Sequence, residues 1–316
     1  MQDRFGRAIE YLRLSITERC TLRCAYCRAQ EGDCPKEREL STEEFVRIVR
    51  AMAKLGVNKI RVTGGEPLLR RDVVTLVERF GQVPGIKEIA LTTNAQQLYD
   101  LVRPLKSAGL TRLNISMDSL NEEKYRSITG GGELAPVLKA IDRCIEEELL
   151  PLKVNMVVMR GVNDDEVDAL IELAKSRPID VRFIELMPIG ALGQNPKLRV
   201  PSDELIKARP RLVPIPPRYQ GQPSRDYKIE GYVGRIGFIS PISHQFCGEC
   251  NRVRVMSDGM LRPCLGDNGE ISLKAALAEG DDALLKTIED AIYQKPEGHC
   301  FSAPFVSAKN MSKIGG

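Results

Sequence analysis

Along residues 12–186, short β-branched and apolar runs take turns with stretches in which apolar side chains recur every three or four positions. The runs Leu12–Thr17, Lys59–Thr63, Glu88–Thr92, Arg112–Met117, Leu152–Val158 and Val181–Leu186 predict strands. The stretches between them predict helices. Ser41 with Glu44 three residues on reads as a capping box; Phe45, Ile48, Val49, Met52 and Leu55 then share one helical face, and Gly56 ends it. Further helices are expected over Asp72–Phe80, Leu98–Ala108, Leu134–Glu147 and Asp165–Ser176. Six strand–helix units in succession imply an α/β protein with a parallel sheet. Periodicity alone accommodates both a doubly wound sheet and a partial (β/α) barrel.

The texture changes after about Gly190. Residues 196–224 are rich in Pro and Arg, 229–264 read as short strands and hairpins, and 271–294 as helix. The expected organisation is a barrel-like part over 1–190, a connecting segment over 191–228 and a C-terminal part over 229–316. In either parallel architecture the working rim lies at the C-terminal ends of the strands. The segments following the strands carry unusual residues: Cys20, Cys24 and Cys27; Gly64-Gly65-Glu66-Pro67; Thr92-Thr93-Asn94; Ser116-Met117-Asp118; and Met187-Pro188.

Composition narrows the chemistry. No stretch approaches the roughly 18–20 apolar residues of a membrane span, and Met1–Arg13 lacks an apolar signal core, so a cytoplasmic protein is expected. With 46 basic against 43 acidic residues, general nucleic-acid binding is not expected, and any anion must be caught by a local cluster. Nine cysteines, an odd number, argue against a disulfide framework in a reducing compartment. Only His244 and His299 are available for histidine-based catalysis or His-rich zinc sites.

Two groups of three cysteines stand out. Cys20, Cys24 and Cys27 follow a strand as C-x-x-x-C-x-x-C and can converge on one iron–sulfur cluster, leaving one iron open to a small molecule. Cys247 and Cys250, then thirteen intervening residues, then Cys264 form a second trio; Asp258-Gly259 between two strand-like runs predicts a hairpin that returns Cys264 beside Cys250. The alternatives are zinc sites completed by Cys34 in the first case and His244 in the second. Cys144 falls on an apolar helical face and reads as core, and Cys300 as incidental.

The segment Cys20-Thr21-Leu22-Arg23-Cys24-Ala25-Tyr26-Cys27, with Gly64-Gly65-Glu66-Pro67, resembles the signatures of the radical S-adenosylmethionine superfamily. More narrowly, the chain is similar to the GTP 3′,8-cyclase family of molybdenum-cofactor biosynthesis. This likeness rests on Asp3-Arg4-Phe5-Gly6-Arg7, Tyr11-Leu12-Arg13, Asn251-Arg252-Val253-Arg254, the C-terminal cysteine spacing and the terminal Gly315-Gly316. The sequence departs from common family residues at Thr21, Arg28 and Ala95.

The resemblance implies an incomplete (β/α)6 barrel with a C-terminal cluster domain, two 4Fe–4S clusters and S-adenosylmethionine. It implies that a 5′-deoxyadenosyl radical takes the C3′ hydrogen of GTP and that C3′ then attacks C8. It matches Tyr26, Gly65, Ser116 and Met187 to cofactor contacts, and Arg13, Arg61, Thr92, Lys153, Arg252, Val253 and Arg254 to GTP contacts. Arg252, Arg254 and the Gly315-Gly316 tail are expected at the catalytic centre, and Lys59 and Arg182 are added as cations on strands. A flavodoxin-like reductant, a downstream cyclic pyranopterin monophosphate synthase and a monomer or homodimer are the implied partners. The rival readings are a peptide-modifying radical enzyme and a zinc-stabilised binding protein.

Overall fold

The computed structural model describes residues 1–27, 39–301 and 305–316. The six units appear in order: β1 (Tyr11–Ser15), α1 (Thr42–Lys54), β2 (Lys59–Thr63), α2 (Val73–Gly81), β3 (Glu88–Thr93), α3 (Val102–Ser107), β4 (Arg112–Ser116), α4 (Glu122–Thr129), α5 (Leu134–Glu146), β5 (Leu152–Val158), α6 (Val167–Ser176) and β6 (Ile179–Glu185). The capping box forms as expected, Ser41 accepting from the Glu44 backbone while Glu44 accepts from the Ser41 N–H.

The expected helix over Leu98–Ala108 is shorter than its apolar pattern. It opens as a 3-10 turn at Tyr99–Leu101 and becomes α-helical only from Val102, which puts Pro104 in the first turn, where its missing N–H leaves no bond unmade. The six-unit pattern overlooks α4. Asn121 caps that helix and a left-handed Gly130 ends it, but over eight residues its buried side chains are Tyr125, Ile128 and Thr129, too few to register as a periodic face.

After β6 come α7 (Gly190–Gly193), α8 (Ser202–Lys207), β7 (Val213–Pro214), β8 (Ser224–Lys228), β9 (Arg235–Ile239), β10 (Arg252–Val255), β11 (Met260–Arg262), β12 (Ile271–Ser272), α9 (Lys274–Glu279), α10 (Asp281–Tyr293) and α11 (Met311–Ile314). The later strands join the first six in a single sheet, ordered β12-β11-β10-β1-β2-β3-β4-β5-β6-β9-β8-β7. β10 runs parallel to β1 at one edge of the six, and β9 parallel to β6 at the other. β9 and β10 do not pair with each other, so the barrel stays open.

The parallel strands alternate over most of their length, with Val157, Ile184 and Ile239 as apolar residues on the inner face. Leu12, Leu14, Ile60, Val62, Leu113, Ile115, Val154, Val181, Val253 and Val255 are fully buried in the hydrophobic core. The intervening residues are of the other kind: Tyr11 and Arg13, Arg61 and Thr63, Asn114 and Ser116, Lys153 and Asn155, Asp180 and Arg182, Arg252 and Arg254. Successive side chains of a strand point to opposite faces. The outer face therefore packs apolar, and the concave inner face is largely polar, with cations outnumbering carboxylates.

Candidate functional site

A cavity occupies the concave side of the sheet, and all six cysteines of the two trios line it. Cys20, Cys24 and Cys27 follow the C-terminal end of β1. Cys247 and Cys250 precede β10, which is parallel to β1, and Cys264 follows the antiparallel β11. The second trio therefore sits at the opposite mouth, where the strands begin. A five-residue strand, roughly 15 Å, separates the two ends.

At the first mouth, the glycine loop lies across the chain leading into the cysteines. The Gly65 N–H donates to the Thr17 carbonyl at 2.8 Å and the Glu66 N–H to the Arg19 carbonyl at 2.7 Å. A methyl group on Gly65 would stand 2.4 Å from the Arg19 carbonyl oxygen and 2.5 Å from that of Glu18, so only glycine permits this contact. The buried Glu66 carboxylate accepts from Thr93 Oγ1, the Asn94 N–H and the Leu68 N–H, tying the loop to the end of β3. Burial raises its pKa to about 7 against the pull of those three bonds. Tyr26 donates to Asp118 at 2.7 Å, and Asp118 also accepts from the Val157 N–H; burial lifts this carboxyl to about 6. Asn94 Nδ2 approaches the Cys20 sulfur at 3.7 Å, and the Leu22 N–H at 3.4 Å. Cys24 is pushed well up by burial, then by Asp118 and the neighbouring Cys27 and Cys20.

The second mouth has the opposite electrostatics. Burial opposes ionisation of Cys250, yet Arg252 and Lys295 outweigh it and bring the thiol down to about 6. Cys247 is lowered by a hydrogen bond with His299, whose Nε2 also lies 2.8 Å from the Pro241 carbonyl. Thiolates are the form that binds iron, so Cys247 and Cys250 suit a thiolate-ligated group, whereas burial raises Cys264, with Lys295 partly opposing it. At the first mouth three half-buried thiols crowd beside Asp118, a setting that a positive centre would relieve. Among the described residues no three Cys, His, Asp or Glu side chains are close enough to share one metal ion, whereas a cubane offers each sulfur its own corner.

Between the mouths the strands set cations side by side. Register aligns Arg13 with Arg254 on one neighbour and Arg61 on the other, and Tyr11 with Arg252 and Lys59. On the far wall Asn155 aligns with Ser116 and Arg182. Among the described residues, no carboxylate pairs with Arg13, Arg61, Arg182, Arg252 or Arg254, and Arg13 Nε, Arg61 Nε, Arg182 Nη2 and Arg252 Nη2 are buried without a hydrogen-bond partner. Desolvation and then the neighbouring Arg254 and Arg61 hold Arg13 well below the ordinary arginine range. The C-terminal tail enters here: Arg254 donates to the Gly315 carbonyl at 2.5 Å and Thr63 Oγ1 to that of Gly316 at 3.1 Å.

Of the sequence-predicted residues, Tyr26, Gly65, Ser116, Met187, Arg13, Arg61, Thr92, Arg252, Arg254 and Gly316 line the cavity. Gly315 lies just behind Gly316, against Thr63. Val253 faces the outer core, leaving only its backbone near the site. Lys153 shares the inner face of β5 with Asn155 but sits one layer deeper, 4.0 Å from Asp180. His244 is exposed, and His299 is the histidine that meets the second trio. Cys144 is core, Cys300 is exposed, and Cys34 and Arg28 lie outside the described residues.

Sequence reasoning passed over Lys295 and Tyr219. Tyr219 comes from the Pro- and Arg-rich segment to cover the lower end of the cavity, its ring 4.6 Å from Lys59 Nζ. Nothing in that segment's pattern marks it. Lys295 sits just past α10, where a cation at a helix end is ordinary.

The Radical SAM superfamily description matches residues 14–174, and Molybdenum Cofactor Synthesis C matches 179–301. Among solved structures, Streptococcus suis SuiB bound to S-adenosylmethionine shares the fold, with a TM-score of 0.63 over 93% of this chain and 73% of its own, at 16% identity. The chain is 45% identical to a GTP 3′,8-cyclase of Alkaliphilus oremlandii and 44% identical to those of Alkaliphilus metalliredigens and Clostridium botulinum, in each case over 100% of both chains. Such identity over the full length of both chains means that the chain belongs to the GTP 3′,8-cyclase family of the radical SAM superfamily.

Proposed function

We propose that this cavity converts GTP to 3′,8-cyclo-7,8-dihydro-GTP, the opening reaction of molybdenum-cofactor biosynthesis. The observation that carries the reading is the row Arg254–Arg13–Arg61, with Arg252 and Arg182 around it. Among the described residues no carboxylate pairs with Arg254, Arg13, Arg61 or Arg252, and their guanidinium groups lie buried together, whereas Arg182 feels Asp226 and Asp180. Such a cluster is costly until a polyanion fills it, and a triphosphate provides several charges and acceptors for planar, forked donors.

Cys20, Cys24 and Cys27 would hold one 4Fe–4S cluster and Cys247, Cys250 and Cys264 another, with S-adenosylmethionine beside Tyr26, Gly65, Ser116 and Met187. When bound, the first cluster and S-adenosylmethionine supply one-electron radical chemistry at a carbon centre. The chain's own residues orient the substrate. The arginine row takes the triphosphate, Lys153 adds charge from beneath, and Thr92, whose buried Oγ1 has no partner among the described residues, offers a polar contact. The guanine end then points to the second mouth, past Arg252. The Gly315-Gly316 tail, held by Arg254 and Thr63, closes the wall against water.

The working units are the barrel over 1–190, the connecting segment over 191–228, which supplies Tyr219, and the cluster-bearing part over 229–316. A low-potential donor of the flavodoxin type would deliver the electron, and cyclic pyranopterin monophosphate synthase would take the product, in the cytoplasm. Among the described residues no helix is long and apolar enough to cross a membrane. The test is anaerobic incubation of the reduced, iron-loaded protein with S-adenosylmethionine and GTP, followed by product analysis. Formation of 3′,8-cyclo-7,8-dihydro-GTP is expected. Cleavage of S-adenosylmethionine that leaves GTP unconsumed would overturn the reading.

A further inference from the structure

The N-terminal segment Asp3–Arg7 lies outside the barrel and touches neither substrate nor cofactor in the reading above. Its Arg7 is nonetheless buried, although it stands 240 residues from the nearest cysteine of the second trio. Arg7 Nη1 donates to the Cys247 carbonyl at 2.9 Å and to the Glu297 carbonyl at 2.6 Å, and Nη2 donates to the Pro296 carbonyl at 2.6 Å. Its Nε donates to Asp3 Oδ2 at 2.6 Å, and Asp3 Oδ1 accepts the N–H groups of Phe5 and Arg7, so the carboxylate fixes the fork.

Two other buried cations do the same for the rest of the trio. Lys295 Nζ donates to the Arg252 carbonyl at 2.9 Å and to the Pro263 carbonyl at 2.6 Å, joining the strand after Cys250 to the residue before Cys264. Arg262, fully buried, donates to the carbonyls of Cys264 and Leu265 at 3.2 and 3.1 Å. Each cysteine-bearing segment thus has a main-chain carbonyl anchored by a buried cation; Arg7 and Lys295 reach it from distant parts of the chain, and Arg262 from two residues before Cys264. At the first mouth, by contrast, the buried groups against the cysteine loop are the carboxyls of Asp118 and Glu66.

We propose that Arg7, oriented by Asp3, is a positioning residue for the second cysteine trio. With Lys295 and Arg262 it sets the loop geometry in which three thiolates meet one cluster. The inference rests on the reading that this trio carries a cluster. Hydrogen bonds from a charged donor to main-chain carbonyls are among the stronger ones in proteins, and losing a fork of three frees the Cys247 turn from residues 296–298.

The experiment measures iron release to a chelator from the anaerobically reconstituted holoenzyme, comparing the unsubstituted chain with Arg7→Met and Asp3→Asn. The unsubstituted chain is expected to hold about eight irons, and a value near four would refute the two-cluster reading itself. In Arg7→Met, half of the iron should leave at least about tenfold faster while the other half keeps its rate, and S-adenosylmethionine binding should be unchanged. Asp3→Asn, which keeps the shape and so folds even where Arg7→Met does not, should accelerate the same half by about threefold. Equal acceleration of both halves in either variant would mean a general loss of stability and would overturn the proposal. No acceleration in Asp3→Asn would overturn it as well.

Discussion

Lys153 is expected to be uncharged until an anion enters the cavity. It is 1% exposed, and burial, then Arg182 and Arg112, lower its pKa from the ordinary 10.5 to about 6, with Asp180 only partly offsetting them. At about pH 8 only about one amine in a hundred is then protonated. A triphosphate on the arginine row reverses the sign of the local field, and a rise of about three pH units suffices to recharge nine amines in ten. GTP binding at about pH 8 should therefore take up close to one proton. Between about pH 7 and 8 the affinity should fall by close to tenfold per pH unit, and it should level off above the pKa of the bound amine. Stability of the ligand-free chain runs the other way. Because the folded pKa lies below the unfolded one, the unfolded chain binds the extra proton between pH 6 and about 10, and stability rises with pH across that window. At about 1.4 kcal/mol per unit the whole gain is bounded at about 6 kcal/mol. Calorimetric titration of GTP in buffers of different ionisation enthalpy counts the protons, and Lys153→Met is the control. Equal uptake in Lys153→Met, or none in the unsubstituted protein, would refute the reasoning.

Three further outcomes follow from the same geometry. Arg13→Met should weaken GTP binding by about 30- to 1,000-fold, the loss of one desolvated charge pair of roughly 2–4 kcal/mol. Iron content should not change, and the ligand-free chain should melt higher because Arg254 and Arg61 lose a like-charged neighbour. In Gly315→Ala the new methyl would stand 2.6 Å from Thr63 Cγ2 at a φ of +83°, so the tail should be displaced. Turnover should fall by at least about tenfold while equilibrium dialysis still finds GTP bound. Glu66→Gln offers one acceptor oxygen where three donors meet, stranding at least one of them. It should lower stability by about 1–3 kcal/mol in chemical denaturation and raise the KM for S-adenosylmethionine.

Much of this protein is set locally. The capping box at Ser41, the six parallel strands and the two cysteine loops follow from short-range periodicity and spacing, because helix caps and strand alternation depend on neighbours a few residues apart. The alternation of Leu12, Arg13 and Leu14, or of Val253 and Arg254, already separates an apolar outer face from a polar inner one. Strands packed on both faces would instead read as continuous apolar runs. Only the tertiary structure decided what those inner faces meet. The parallel pairing of β10 with β1, between residues some 240 apart, lines up Arg254, Arg13 and Arg61 and puts the second trio at the opposite mouth from the first. No local pattern encodes that pairing, because its register depends on which edge of the sheet the returning chain reaches. The same is true of Arg7 beneath Cys247, Tyr219 beside Lys59 and the tail glycines against Thr63. Each is an ordinary residue in its own segment and acquires its role from a partner that long-range folding brings within reach.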